Sequence, residues 1–267
     1  MRKAFPTEFL YQAFALVIAV LVVHVPYVTV VRPRASAILA EQALRMQQEA
    51  NYSPGQSIWV IIRDYEQEAC FVLMLWAFAI MGYKAVQLLR ERALLQQELL
   101  PVREGVRILP EDTREYARVI QSLPEQVRRM LVPRLLLTSL ERFGSTRSVQ
   151  DVSSVANTVL DAEAGRLDSD LSMIRYIAWA IPSLGFIGTV RGIGLALAEA
   201  HRAVEGDISG VTENLGTAFN STLIALLISI VLMFLVHQLQ ALQERLVLDA
   251  QTYVDHNLIR HMQTRSG

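Results

Sequence analysis

The sequence has almost no lysine, a single cysteine and no surplus of charge. Only Lys3 and Lys84 are lysines among 25 basic residues, which face 26 acidic ones for a net charge of −1 over 267 residues. That balance supplies no basic surface for nucleic acid, so no nucleic-acid partner is expected. Cys70 alone excludes an intrachain disulfide and any cysteine-cluster metal site. His24, His201, His237, His256 and His261 are scattered without ligand spacing, so neither a metal nor another cofactor is expected. There is no phosphate loop, no H-E-x-x-H and no G-x-S-x-G, and Gly192-Ile193-Gly194 belongs to no G-x-G-x-x-G. Nothing points to an enzyme.

What is present is hydrocarbon. The hydrophobic fraction is 52% against 19% charged, and the mean hydropathy of +0.30 is too high for an ordinary soluble domain. Phe9 to Val31 is 23 residues long and free of Asp, Glu, Lys and Arg, enough for a hydrocarbon core that needs about 20. Asn214 to Gln243 is another such run, 30 residues long. Ala69–Tyr83 and Tyr176–Val190 are 15 residues each and become spans when Lys84, Arg175 and Arg191 snorkel at their ends. The expected fold is therefore all-α: a multi-pass membrane protein with four transmembrane helices and long cytoplasmic helical extensions. The expected boundaries are 1–34, 65–90, 171–199 and 214–239 for the spans. A periplasmic helical segment fills 35–64, a cytoplasmic helical region 91–170, a periplasmic loop 200–213 and a cytoplasmic C-terminal helix 240–267.

Orientation follows from the basic residues in the loops. With both termini cytoplasmic, nineteen fall inside and five outside, with Arg191 left out because it lies within a span. Arg32 and Arg34 sit on the unexpected side. Met1-Arg2-Lys3, an apolar run and Ala35-Ser36-Ala37 resemble a cleavable secretory signal, but the run exceeds a signal's usual apolar core, so an uncleaved anchor is expected.

Outside the spans, Glu41 to Ala50 reads as a short helix and Ser53-Pro54-Gly55 as its turn. Ser122 and Glu125 have capping-box spacing. From Ser148, the 3–4 spacing of Val152, Val155, Val159, Ala162, Leu167, Leu171, Ile174, Ala178 and Ile181 predicts one helix running into the third span. At 1.5 Å per residue, about 50 residues would extend roughly 75 Å. The apolar pattern through Leu246, Leu248 and Tyr253 predicts that the last helix packs back along it.

The third and fourth spans carry unusual side chains. Gly185, Gly188 and Gly192 include a G-x-x-x-G pair, and Ala218, Thr222, Ala225 and Ser229 form a narrow stripe of small groups; both suit tight helix packing or a pore wall. Thr189 and Thr222 are centred on Glu205-Gly206-Asp207, so an antiparallel pair of helices joined there puts both hydroxyls at one depth. Such hydroxyls could line a hydrated path, or each could bond its own helix's i−4 carbonyl. No Asp or Glu stands in the middle of any span; Glu199 and Glu213 lie at the ends. Hydroxyls relay a proton but do not hold one near neutral pH, so conduction would need a titrating acid from a partner. His24 has no charged partner nearby in sequence and reads as a helix contact. Arg191 reads as a snorkelling residue, Cys70 as buried packing, and Arg175 and Glu199 as candidates for the ion inlet or outlet.

Ile181-Pro-Ser-Leu-Gly-Phe-Ile-Gly-Thr-Val-Arg-Gly-Ile193 resembles the A-P-x-L-G-L-L-G-T-V-x-G-I segment of the MotA/TolQ/ExbB proton-channel family. Ala218-Phe-Asn-Ser-Thr-Leu-Ile-Ala-Leu226 is similar to that family's A-L-x-x-T-A-x-G-L segment. The four-span layout matches the MotA branch, while the Gly-Thr-Val motif leans towards TolQ and ExbB. Ile181, Ala225, Val231 and Arg191 depart from the family pattern. The resemblance implies a bacterial inner-membrane motor or stator subunit. It would form a homopentamer around a dimer of an ExbD-, TolR- or MotB-like single-span partner carrying an intramembrane Asp. Ions would pass Thr189 and Thr222, and their inward flow would drive mechanical work. The rival expectation is a non-conducting membrane scaffold built on the same small-residue seams.

Overall fold

A computed structural model describes residues 7–48, 55, 57–101 and 106–263. The Met1-Arg2-Lys3 segment, the Ser53-Pro54 part of the expected turn, and the last two residues of the expected 41–50 helix lie outside them. Every regular element among the described residues is helical; the sole β pairing is an isolated bridge, Ile108 with Met262. Among the described residues, four helical stretches are long and apolar enough to cross a membrane: Phe9–Met46, Tyr65–Leu94, Val149–Ala198 and Ser209–His261. The chain is an all-α membrane protein. It divides into two compact units, Met1–Gly82 with Met173–Val236, and Tyr83–Ser172 with His237–Gly267.

In the first unit, α1 (Thr7–Pro26) passes through a π-helical turn (Tyr27–Val31) into α2 (Arg32–Gln48). Pro26 has no N–H to give to the turn before it, and the backbone N–H of Arg32 reaches back five residues to the Tyr27 carbonyl. Ala19, Val23, Tyr27, Val31 and Ala35 are buried, a repeat of four. On a turn of 3.6 residues that repeat drifts about 40° per step, and the wider π turn takes up part of the drift. The line packs on α4 (Tyr65–Leu94) through Phe71, Val72 and Leu75. Two bonds fix the antiparallel register: Tyr11 Oη donates to the Ala79 carbonyl (3.1 Å) and Trp76 Nε1 to the Gln12 carbonyl (2.9 Å). A one-turn helix, α3 (Ile58–Ile61), precedes α4.

His24 is not the unpaired helix contact expected of it. Its Nδ1 lies 2.6 Å from Glu68 Oε1, and Arg32 bonds the other oxygen of the same carboxylate. Arg32 also stacks over Tyr65 at 4.1 Å, and Arg34 over Trp59 at 4.8 Å. The two arginines on the unexpected side of the charge count are thus neutralised or stacked.

In the second unit, α5 (Thr113–Gln121), α6 (Glu125–Arg128), α7 (Leu131–Thr146) and α8 (Val149–Asp170) surround a core of Ile120, Leu135, Leu136, Leu140, Phe143 and Val152, all fully buried. Ser122 does not cap a following helix; it closes α5, and its Oγ donates to the Val119 carbonyl. Pro124 holds the position before α6. Arg147 ends α7 in a left-handed conformation (φ 54°), and Ser148 Oγ then accepts from the Asp151 N–H to start α8.

The buried line of α8 is Val152, Ala156, Leu160, Glu163 and Leu167, rotated from the one expected through Val155, Val159 and Ala162. Glu163 explains the difference: Arg134 (2.6 Å) and Arg166 (2.5 Å) neutralise it, so a carboxylate takes an inward position. The predicted helix into the third span runs from Val149 to Ala198, with a one-residue turn at Leu171 dividing it into α8 and α9 (Ser172–Ala198). After the short α10 (Ala200–Val204), α11 runs unbroken from Ser209 to Asn257. Its late turns bury Leu246, Ala250 and Val254, and Leu258 just beyond its end is buried as well, while Leu248 is exposed.

Phe143→Ala is expected to destabilise the second unit by about 3–5 kcal/mol, because the ring is fully buried and α7 and α8 hold its neighbours in place. Thermal unfolding of the detergent-solubilised protein, followed by circular dichroism, measures this; an unchanged midpoint refutes it.

Candidate functional site: a hydroxyl pair on a glycine seam

The third and fourth spans meet on one face of each helix. Along α9 the buried line is Ile174, Ile177, Ala178, Ile181, Gly185, Gly188, Gly192 and Ala196. Along α11 it is Thr217, Ala218, Ser221, Ala225, Ile228 and Leu232. The glycines are needed for approach. A Cβ on Gly185 would lie 2.5 Å from Ala225 Cβ; one on Gly188, 2.5 Å from Ser221 Cβ; one on Gly192, 2.8 Å from the Ala218 backbone nitrogen. Residue numbers rise on one helix as they fall on the other, so the register is antiparallel. Lower down, Ser229 Oγ donates to the Ala178 carbonyl at 3.3 Å. Ser221, not singled out from the sequence, is as central to the seam as the alanines.

That register brings Thr189 and Thr222 into direct hydroxyl contact. Thr222 Oγ1 also reaches the Gly185 carbonyl at 3.1 Å. Thr189 Oγ1 reaches the Ala218 carbonyl at 3.1 Å and its own i−4 carbonyl, Gly185, at 3.3 Å. The sequence left two uses open for these hydroxyls, and the geometry contains both: each touches the other and a helix carbonyl. A hydroxyl has one proton and two lone pairs. With more acceptors in reach than protons, the pair has alternative donor arrangements that differ only by hydroxyl rotation. Both residues are half-buried.

Charges gather beside one end of this seam. Arg191, two residues beyond Thr189, does not simply snorkel. Its Nε and Nη2 bind Glu66 at 2.6 and 2.8 Å, and Nη2 lies 3.6 Å from Asp64. Glu66 Cγ is 3.4 Å from the position a Gly188 Cβ would take. Arg63 binds Glu213 at 2.8 Å. Burial pushes the Asp64 carboxyl above its usual value, against the lowering effect of Arg63 and Arg191.

Asp64 and Glu66 are site neighbours that no motif in the sequence marks. The available signal was three acids spaced two apart, Asp64, Glu66 and Glu68, at the start of a span. Within α4, Glu66 and Glu68 are about 200° apart around the helix, so one meets α9 and the other α1. Glu199, at the end of α9, is paired with Arg202 at 3.0 Å, and Arg175 is half-buried near the start of α9. Cys70 is buried, with Sγ 3.7 Å from the Ile181 carbonyl.

Gly185→Val should destabilise the α9–α11 pair by about 1–3 kcal/mol through overpacking. Ala225→Gly in the same chain should recover part of that loss, since the closest clash is with Ala225 Cβ. Thermal unfolding in detergent reads both; equal midpoints for the single and double variants would contradict the seam.

Residues 128–252 match the model of the MotA/TolQ/ExbB proton channel family. No curated protein matches the chain.

Proposed function

Residues 128–252 belong to the MotA/TolQ/ExbB proton channel family, and from that premise we propose that this chain is the channel-forming subunit of an ion-driven membrane motor. The reading has it in a bacterial inner membrane with both termini cytoplasmic, as the distribution of basic residues favours. Five copies surround a dimer of a single-span partner, of the ExbD, TolR or MotB kind, whose intramembrane Asp carries the proton. Ions travel inward past Thr189 and Thr222, and their flow turns or shifts one set of helices against the other.

The observation that carries this reading is the Thr189–Thr222 hydroxyl contact, half-buried on a seam of small residues. Two hydroxyls with interchangeable acceptors pass a proton along without holding charge. A partner carboxylate beside them supplies the holding step. Protonated, it crosses an apolar helix surface at low cost; ionised, it needs the polar layer, so each proton gates one movement.

The competing reading is a non-conducting scaffold. It draws on the same bonds, because both hydroxyls reach helix carbonyls as packing hydroxyls do.

Proteoliposomes containing the chain and its partner separate the two by pH-gradient-driven proton uptake. Thr222→Val and Thr189→Val remove a hydroxyl at near-constant volume, and loss of a hydrogen bond worth about 1 kcal/mol or more should slow uptake about tenfold with the complex intact. A scaffold keeps its assembly and shows no Thr-dependent uptake.

A further inference from the structure

We infer that Asp64, Glu66 and Arg191 form the proton-selecting mouth of the path lined by Thr189 and Thr222, with Asp64 the carboxylate that exchanges protons with the outer solution. This rests on the channel reading above and adds an acid supplied by the chain itself.

Position is the first ground. Arg191 stands two residues from Thr189 on α9, a rise of about 3 Å, and Glu66 lies against Gly188 on the same helix. A proton approaching the hydroxyl pair from this end passes these side chains.

Charge is the second. A lone guanidinium beside a cation path repels what the path carries. Here Glu66 accepts two hydrogen bonds from Arg191 and cancels its charge, while Arg63 is engaged by Glu213.

The third ground is the division within Asp64. Its Oδ1 faces both arginines, 3.6 Å from Arg191 and 4.0 Å from Arg63. Its Oδ2 is buried and accepts no hydrogen bond from the described residues. Beside it, fully buried Gln67 accepts from the Asp64 N–H at 2.8 Å through Oε1, and its Nε2 has no partner among the described residues. The groups bearing on Asp64 are Arg63 and Glu66 from its own segment, Arg191 from α9, Glu213 through Arg63 from α11, and Tyr27 from the π turn. Burial raises its pKa, so it takes up a proton at higher pH than a free aspartate.

The step is a proton exchange only. A proton taken up from the outer side adds to the Asp64 carboxylate and makes the neutral acid. It then leaves towards the hydroxyl pair, restoring the carboxylate; no other bond changes.

The test is proton uptake by the chain–partner complex in proteoliposomes over an outer pH range of about 5 to 8. Asp64→Asn should slow uptake about tenfold and flatten its dependence on outer pH, while Asp64→Glu keeps the parent profile. Glu66→Gln, which frees the guanidinium, should also slow uptake, and adding Arg191→Gln should restore it. A merely structural clamp predicts the reverse of that rescue, because the double variant has no clamp. Asp64→Asn uptake equal to the parent in rate and profile, with Thr222→Val still blocking, overturns the mouth and leaves the channel reading standing. Parent uptake indifferent to Thr222→Val overturns both. Loss of assembly in both Asp64 variants assigns the residue to packing and likewise overturns the proposal.

Discussion

The close approach of α9 and α11 is the constraint on which the rest depends. In lipid no hydrophobic gain draws two helices together, because hydrocarbon tails solvate apolar side chains as well as another helix does. What remains is dispersion at short range and hydrogen bonds across the contact. Gly185, Gly188 and Gly192 face Ala225, Ser221 and Ala218, so three consecutive turns bring backbone against small side chains. Each pairing fixes the same antiparallel register. Once it is set, Thr189 and Thr222 have no choice but to meet.

The first and second spans solve a different problem. Their contact carries charge: Glu68 is shared by His24 and Arg32. A single buried carboxylate among apolar helices is costly unless it is paired and hydrogen-bonded, and here the Arg32 guanidinium and the His24 ring both bond it. They come from either side of the π turn, His24 from α1 and Arg32 from α2. The break after Pro26 therefore does more than absorb a missing N–H: it sets the angular relation between two side chains that converge on one acid. Tyr27 lies between them and is buried against Phe71.

Much of this was legible in the sequence because it depends on local rules. Apolar length is enough to expect four helices able to cross a membrane. The polar loop at 205–207 located the threonines opposite one another, since an antiparallel pair has only one fold-back point. Small residues at 3–4 spacing located the seam. All but one of the failures share a cause: they concern pairings between residues distant in the chain. Arg191 and Glu66 are 125 positions apart, and Arg63 and Glu213 are 150 apart. No periodicity in either segment predicts such a partner. The same cause rotated the buried line of α8. Glu163 is an exposed residue by its type, and Arg134, on another helix, together with Arg166 makes its burial tolerable. Ser122 failed for a local reason: its hydroxyl bonded backward, to the end of α5, before it could serve forward.

Packing and chemistry cannot be separated at Gly185. Its missing side chain admits α11 to within contact of Ala225 and the Thr222 backbone. Its carbonyl is the acceptor that both threonine hydroxyls reach. A side chain there would push α11 outward and lengthen the Thr222 bond at the same time. The reverse also holds: a residue larger than threonine at 222 would press on the very carbonyl that orients it. A pair of hydroxyls that can exchange donors by rotation needs acceptors held at fixed distance, and two helices in backbone contact hold them more rigidly than side chains could. The glycines are thus the reason the hydroxyls have several acceptors to choose among, and the choice among acceptors is what distinguishes a relay from a static hydrogen bond.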